Sequence, residues 1–122
     1  MHTITMPGDS YESLAAGFVR GTADFMITHL LQQDRPRLVH PGDGFGRVLA
    51  WTWRERGEVA AGVLVADLLA MLRRHHQRAH EIQPAVTLDE LVDGLRHALP
   101  GDLSEQEIDE VTTAVRHQAR GV

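Results

Sequence analysis

The chain of 122 residues contains no cysteine, so disulfide frameworks, thiolate zinc sites, iron–sulfur clusters and cysteine nucleophiles are excluded within it. Lysine is also absent, because all twelve basic residues are arginine, and this excludes a lysine Schiff base or a Walker lysine. The three serines, Ser10, Ser13 and Ser104, fall at predicted helix starts, which explains them without a catalytic role. The sequence therefore favours a function other than catalysis.

The sequence also has no long uninterrupted apolar run. Its longest apolar stretch, Val59 to Leu72, is broken by Gly62 and Asp67, and residues 1–8 do not have the basic and then apolar pattern of a signal peptide. We therefore expect a cytoplasmic protein without a membrane partner. The hydrophobic content of 43% and the charged content of 24% are typical of a globular chain. They predict one folded domain over residues 9–120, preceded by a flexible N-terminus at residues 1–8.

The charge balance argues against nucleic acid as a partner. The formal net charge is −5, and residues 62–122 carry six arginines against ten acidic residues. The last predicted helix begins with a cluster of acidic residues from Glu105 to Glu110, which a phosphate backbone would repel. A nucleic-acid-binding regulator is thus an alternative that the sequence disfavours.

The first predicted helix begins with Asp9 and Glu12, which have the spacing of a capping box. Apolar residues recur after them at helical intervals to about Gln33. Gly17 and Gly21 form a small-x-x-x-small pair, which predicts close packing of another backbone or a kink at this helix.

Two interpretations remain open for residues 37–53. Phe45 to Trp53 fits a helix, because Asp43 lies near its start and Gly57 lies just past its end. The alternating apolar residues also fit a small β-hairpin that turns at Asp43 and Gly44. We favour the helix.

The strongest predicted element runs from Val59 to Ile82 and is apolar nearly all round in its first half, which indicates a central position. Two more helices follow, each opened by a capping box, Thr87 with Glu90 and Ser104 with Glu107. The sequence predicts an all-α, single-domain bundle of about five helices around the central apolar helix.

The basic end of that central helix supplies the candidate ligand residues. His76 and His80 are four residues apart on one helix face, which is the spacing at which two imidazoles can share a divalent metal ion. Arg73, Arg74 and Arg78 could contact an anionic ligand or a partner. A metal- or small-ligand-binding protein, or an enzyme subunit, is therefore the second functional hypothesis, although no cofactor is required by the sequence.

Trp51 and Trp53 cannot both point inward from an ideal helix, so one of them is a candidate for a partner surface. A second candidate surface is the acidic C-terminal hairpin, whose narrow apolar stripe a partner could complete. With no catalytic constellation, the preferred hypothesis is a small helical interaction module of an accessory, regulatory or immunity type. We expect it to bind a protein partner, including a second copy of itself, and so to form a homo-oligomer.

Overall fold

The computed structural model describes residues 8–30, 38–79 and 85–120, and the regular structure in these ranges is entirely helical. The all-α prediction is confirmed for this part of the chain, and no helix in it is long and apolar enough to cross a membrane. The helices are α1 (Gly8–Phe25), α2 (Asp43–Arg56), α3 (Glu58–Ala79), α4 (Leu88–Ala98) and α5 (Glu105–Ala119).

Helix α1 differs from its predicted form in its start, in its last turn and in the surroundings of its glycines. It begins at Gly8, one residue before the predicted cap, and it changes at Met26 to a π-helical turn that ends at Leu30. The predicted continuation to Gln33 lies outside the described residues, as does the predicted N-terminal tail up to residue 7. Of the two alternatives predicted at Gly17 and Gly21, close packing is wrong within the chain, because nothing lies within 4 Å of a Cβ built at either residue, whereas the kink stays a prediction.

The segment from Asp43 to Arg56 is helical, so the helix interpretation is correct and no strand occurs among residues 38–56. The helix ends where the sequence predicted. Gly57 has a φ of 93°, which favours glycine, and its N–H donates to the carbonyl oxygens of Thr52 and Trp53. Gly57 is the only residue between α2 and α3, so the two helices meet at a tight corner.

Helix α3 packs against α1, α2 and α5, and its buried residues are Ala61, Gly62, Leu64, Val65, Leu68, Leu69 and Leu72. The helix is not buried all round, which corrects the expectation from its apolar sequence. Val59 and Val63 are 63% and 51% exposed, and Asp67 also lies at the surface. Asp67 is therefore not a buried carboxylate. The predicted last residues of this helix, 80–82, lie outside the described part.

Both C-terminal helices begin as predicted. Thr87 and Glu90 form a complete capping box at α4, and Ser104 and Glu107 form one at α5. The two helices pack on each other, and their apolar stripes are buried in the chain's own core. The buried stripe consists of Leu91, Val92, Leu95, Val111 and Val115. It is therefore not available to a partner, contrary to our expectation.

Three buried glycines set the distances between elements. A Cβ on Gly46 of α2 would collide with the carbonyl oxygen of Ala98 in α4, and a Cβ on Gly94 of α4 would collide with the carbonyl oxygen of Val39. At Gly62 of α3 the obstacle is the side chain of Gln118 in α5, which can move more easily than backbone. The helices can approach this closely only because these three positions have no side chain.

Arginines connect the helices across the surface. Arg54 of α2 lies 3.7 Å from Asp102 and 3.6 Å from Glu107. Arg96 of α4 lies 2.7 Å from Asp109 of α5, and Arg116 of α5 lies 3.1 Å from Asp89 of α4. These pairs are largely exposed, so each contributes little to the free energy of unfolding.

We expect Gly46→Ala and Gly94→Ala to destabilise the protein by about 1–3 kcal/mol or more, because a methyl group at either position would displace backbone. Gly17→Ala and Gly21→Ala are the matched controls. They add the same methyl group to open helical positions and should stabilise the protein by roughly 0.5–1 kcal/mol each. Urea unfolding of the four variants measures the difference, and a shift of the same sign in both pairs would contradict the packing described above.

We expect part of the acid sensitivity of the fold to come from Glu107. The backbone N–H of Ser104 and the guanidinium of Arg54 hold the pKa of this carboxyl below its usual value of 4.5. Because the pKa is lower in the folded chain, the charged carboxylate stabilises the fold above about pH 4.5, and this contribution is lost as the pH falls through the folded pKa.

The corresponding measurement is urea unfolding of wild type and Glu107→Gln near pH 7 and near about pH 3. The variant should be less stable than wild type at the higher pH, and the difference should shrink at the lower one. Glu105→Gln, in the same turn, is the control and should show a smaller change. A difference for Glu107→Gln that does not depend on pH would refute the assignment.

Candidate interaction surface

Aromatic contacts fix how α1 lies against α2. The ring of Tyr11, near the start of α1, is 6.0 Å from that of Trp51, and its hydroxyl is 3.3 Å from Oγ1 of Thr52. Further along α1, the ring of Phe18 stacks at 6.3 Å on that of Phe45, near the start of α2. An early residue of α1 thus meets a late residue of α2, so the two helices run antiparallel.

A second contact joins α1 and α2 at the same end, where α1 begins and α2 ends. The guanidinium carbon of Arg56 lies 3.8 Å from the centroid of the Tyr11 ring, within the range of a cation–π interaction. The Tyr11 ring therefore contacts two residues of α2, Trp51 and Arg56. This fixes the ring beside Trp51.

Large apolar side chains remain at the surface of this helix pair. Leu14, Phe18 and Phe25 of α1 are 59%, 38% and 48% exposed, and Trp51 of α2 is 48% exposed. Leu14 lies one turn from Phe18 along α1, and the half-buried Val48 lies one turn from Trp51 along α2. Leu14, Phe18 and Phe25 share one stripe of α1, and this stripe passes beside Val48 and Trp51 of α2. We call these five residues the α1–α2 face (Leu14, Phe18, Phe25, Val48 and Trp51).

The two tryptophans of α2 have different surroundings. Trp53 is half-buried and packs against the hydrophobic core, whereas Trp51 is exposed. Of the two predicted candidates, only Trp51 thus lies on the α1–α2 face. Its function as a partner contact remains a prediction.

Opposite charges flank Trp51 along α2. Arg47 lies four residues before it and Glu55 four residues after it, so the three side chains follow one ridge of the helix. Both charged side chains are exposed, and neither forms an ion pair within the described residues. Sequence reasoning missed this arrangement, although the spacing of 47, 51 and 55 is visible in the sequence.

The predicted basic cluster is divided between two clefts. Arg73 lines a cavity of about 280 Å³ together with Arg116 of α5 and with Arg120, which follows the end of α5. Arg74 and Arg78 instead line a cavity of about 370 Å³ between α3 and α1. The three arginines therefore do not form one surface.

The metal hypothesis stays a prediction. His76 is half-buried in α3, but His80 lies outside the described residues. Within residues 8–30, 38–79 and 85–120, no group of three or more histidine, aspartate or glutamate side chains is arranged to hold a metal ion.

Helix α5 presents an acidic surface. An open depression of about 800 Å³ is lined by residues of α5 together with Glu58 at the start of α3. Its carboxylates come from Glu58, Glu105, Asp109 and Glu110. This side of the molecule would repel a nucleic-acid backbone, in agreement with the charge balance of the sequence.

Comparison of the chain with protein-family models, with curated proteins and with solved structures finds no match in any of the three. The candidate function therefore depends on the geometry of the chain itself.

Proposed function

We propose that this chain is a small helical interaction module that forms a two-fold symmetric homodimer through the α1–α2 face. One observation carries the proposal: the exposed Trp51 belongs to an apolar strip and has Arg47 four residues before it and Glu55 four residues after it on the same ridge of α2. Tryptophan and arginine are the residue types most often found at the energetic centre of protein interfaces.

The apolar part of the face supplies the driving force. Fully burying a leucine or phenylalanine side chain is worth about 1.5–3 kcal/mol, and Leu14, Phe18, Phe25 and Trp51 each keep between 38% and 59% of their surface in water. Contiguous apolar patches on a protein surface mark interaction sites. The strip therefore favours burial against another protein surface.

The charges select a second copy of the chain as the partner. In a two-fold interface both copies contribute the same surface, so if one residue of the first copy contacts a different residue of the second, the reverse contact also forms. If the α2 helices of the two copies cross antiparallel with their Trp51 side chains in contact, Arg47 of each copy lies opposite Glu55 of the other copy. Within one helix these residues are eight positions apart, or about 12 Å, which is too far for them to pair.

The neighbouring elements are compatible with this arrangement. Tyr11 is fixed beside Trp51 by its contacts with Thr52 and Arg56. Its ring therefore restricts the movement of the Trp51 side chain. A side chain held in place in the monomer loses less conformational entropy when it binds.

We expect Trp51→Glu to weaken the dimer on the order of 100-fold or more, because it removes an apolar contact and places two carboxylates against each other at the symmetry axis. Sedimentation equilibrium across a range of protein concentrations measures the dissociation constant. Val59→Glu is the matched control, since Val59 is also exposed but lies on α3, and it should leave the constant unchanged. A wild-type protein that stays monomeric at every concentration would refute the proposal.

The charge arrangement has its own test. Arg47→Glu and Glu55→Arg should each weaken the dimer by on the order of tenfold, because each creates two like-charge pairs across the axis. The double variant Arg47→Glu with Glu55→Arg should return to within about threefold of wild type, since it restores both pairs with the charges exchanged. If the two single effects add in the double variant, then residues 47 and 55 do not face each other.

A further inference from the structure

A basic cleft lies on the side of α1 that faces α3. The cavity has a volume of about 370 Å³, within the range of small-ligand sites. Three arginines line it, Arg20 from α1 and Arg74 and Arg78 from α3. Its apolar lining consists of Ala23, Ile27 and Met71.

These three arginines differ from those that connect the helices elsewhere. Arg54, Arg96 and Arg116 each lie within 4 Å of an acidic side chain. Arg20, Arg74 and Arg78 form no ion pair with any described residue, although the chain as a whole has an excess of acidic side chains. Three guanidinium groups around one cleft repel one another, and an anion placed between them would relieve that repulsion.

The geometry of the cleft suits a single tetrahedral anion. Arg74 and Arg78 are four residues apart on α3, so they project from the same side of that helix one turn apart. Arg20 reaches the cleft from the opposite helix, which lets cations approach the anion from two sides. Guanidinium groups bind phosphate oxygens in a bidentate manner, which gives both affinity and orientation.

We propose that this cleft binds an organic phosphate, with its phosphate held by Arg20, Arg74 and Arg78 and its organic part against Met71, Ile27 and Ala23. Asp24 is the one carboxylate in the lining, so the three arginines and this aspartate together contribute two positive charges to the cleft. A phosphomonoester carries about −1.5 to −2 charges near pH 7, which matches this value.

The probe is phenyl phosphate, titrated by calorimetry into the full chain at low salt. We expect a dissociation constant below about 1 mM for the wild type and at least tenfold weaker binding to Arg74→Gln/Arg78→Gln. The charge-matched control is Arg96→Gln/Arg120→Gln, which removes two exposed arginines from α4 and from the end of α5 and should bind as the wild type does. Circular dichroism of each variant establishes that its helices are retained.

Two further probes test the two parts of the cleft. Inorganic phosphate should bind several-fold more weakly than phenyl phosphate because it makes no contact with Met71 and Ile27, and neutral benzyl alcohol should not bind. Equal loss in the cleft variant and the control variant would overturn the proposal, as would no binding of phenyl phosphate up to about 10 mM. Much tighter binding of a single-stranded oligonucleotide, with a steep dependence on salt, would also overturn it and indicate a nucleic-acid surface.

Discussion

The arrangement of the helices depends on close backbone approach at three glycines. Gly46 brings α2 onto the end of α4, Gly94 brings α4 onto the chain at Val39, and Gly62 brings α3 onto α5. At the first two positions the opposing atoms are backbone, which cannot rotate away as a side chain can. Residues with any side chain would push these elements apart and open the core formed between them.

Helix α1 has no comparable contact, and this explains its surface. Gly17 and Gly21 are open to solvent, and the attachment runs through the buried side chains of Val19 and Ala23 and of Met26 in the following π-helical turn. A helix that stays at side-chain distance from its neighbours covers less of its apolar surface. Leu14, Phe18 and Phe25 are the residues left partly in water, and they lie on the flank that faces α2.

The local features of the sequence were predictable, whereas the close contacts were not. The capping boxes at Thr87 and Ser104 and the glycine end at Gly57 were all correctly predicted, because each depends on residues within one or two turns. The sequence pattern indicated the wrong glycines for close packing, since the spacing of Gly17 and Gly21 says nothing about which face of the helix meets another. Gly46 and Gly94 have no such pattern, and their function appears only when Ala98 and Val39 are placed opposite them.

The same reasoning explains why the candidate surfaces were only partly predictable. Amphipathic spacing identifies an apolar stripe but not its width, so it could not separate the buried Val19 from the exposed Leu14. The arginines of α3 were found by composition, but their partner Arg20 is more than fifty positions away in the sequence and joins them only in the fold.

Helix α1 thereby contributes to two surfaces that do not overlap. Phe18 and Arg20 are two residues apart and so point about 160° from each other around the helix axis, one toward α2 and the other toward α3. A dimer formed on the α2 side would leave the cleft on the α3 side open to solvent.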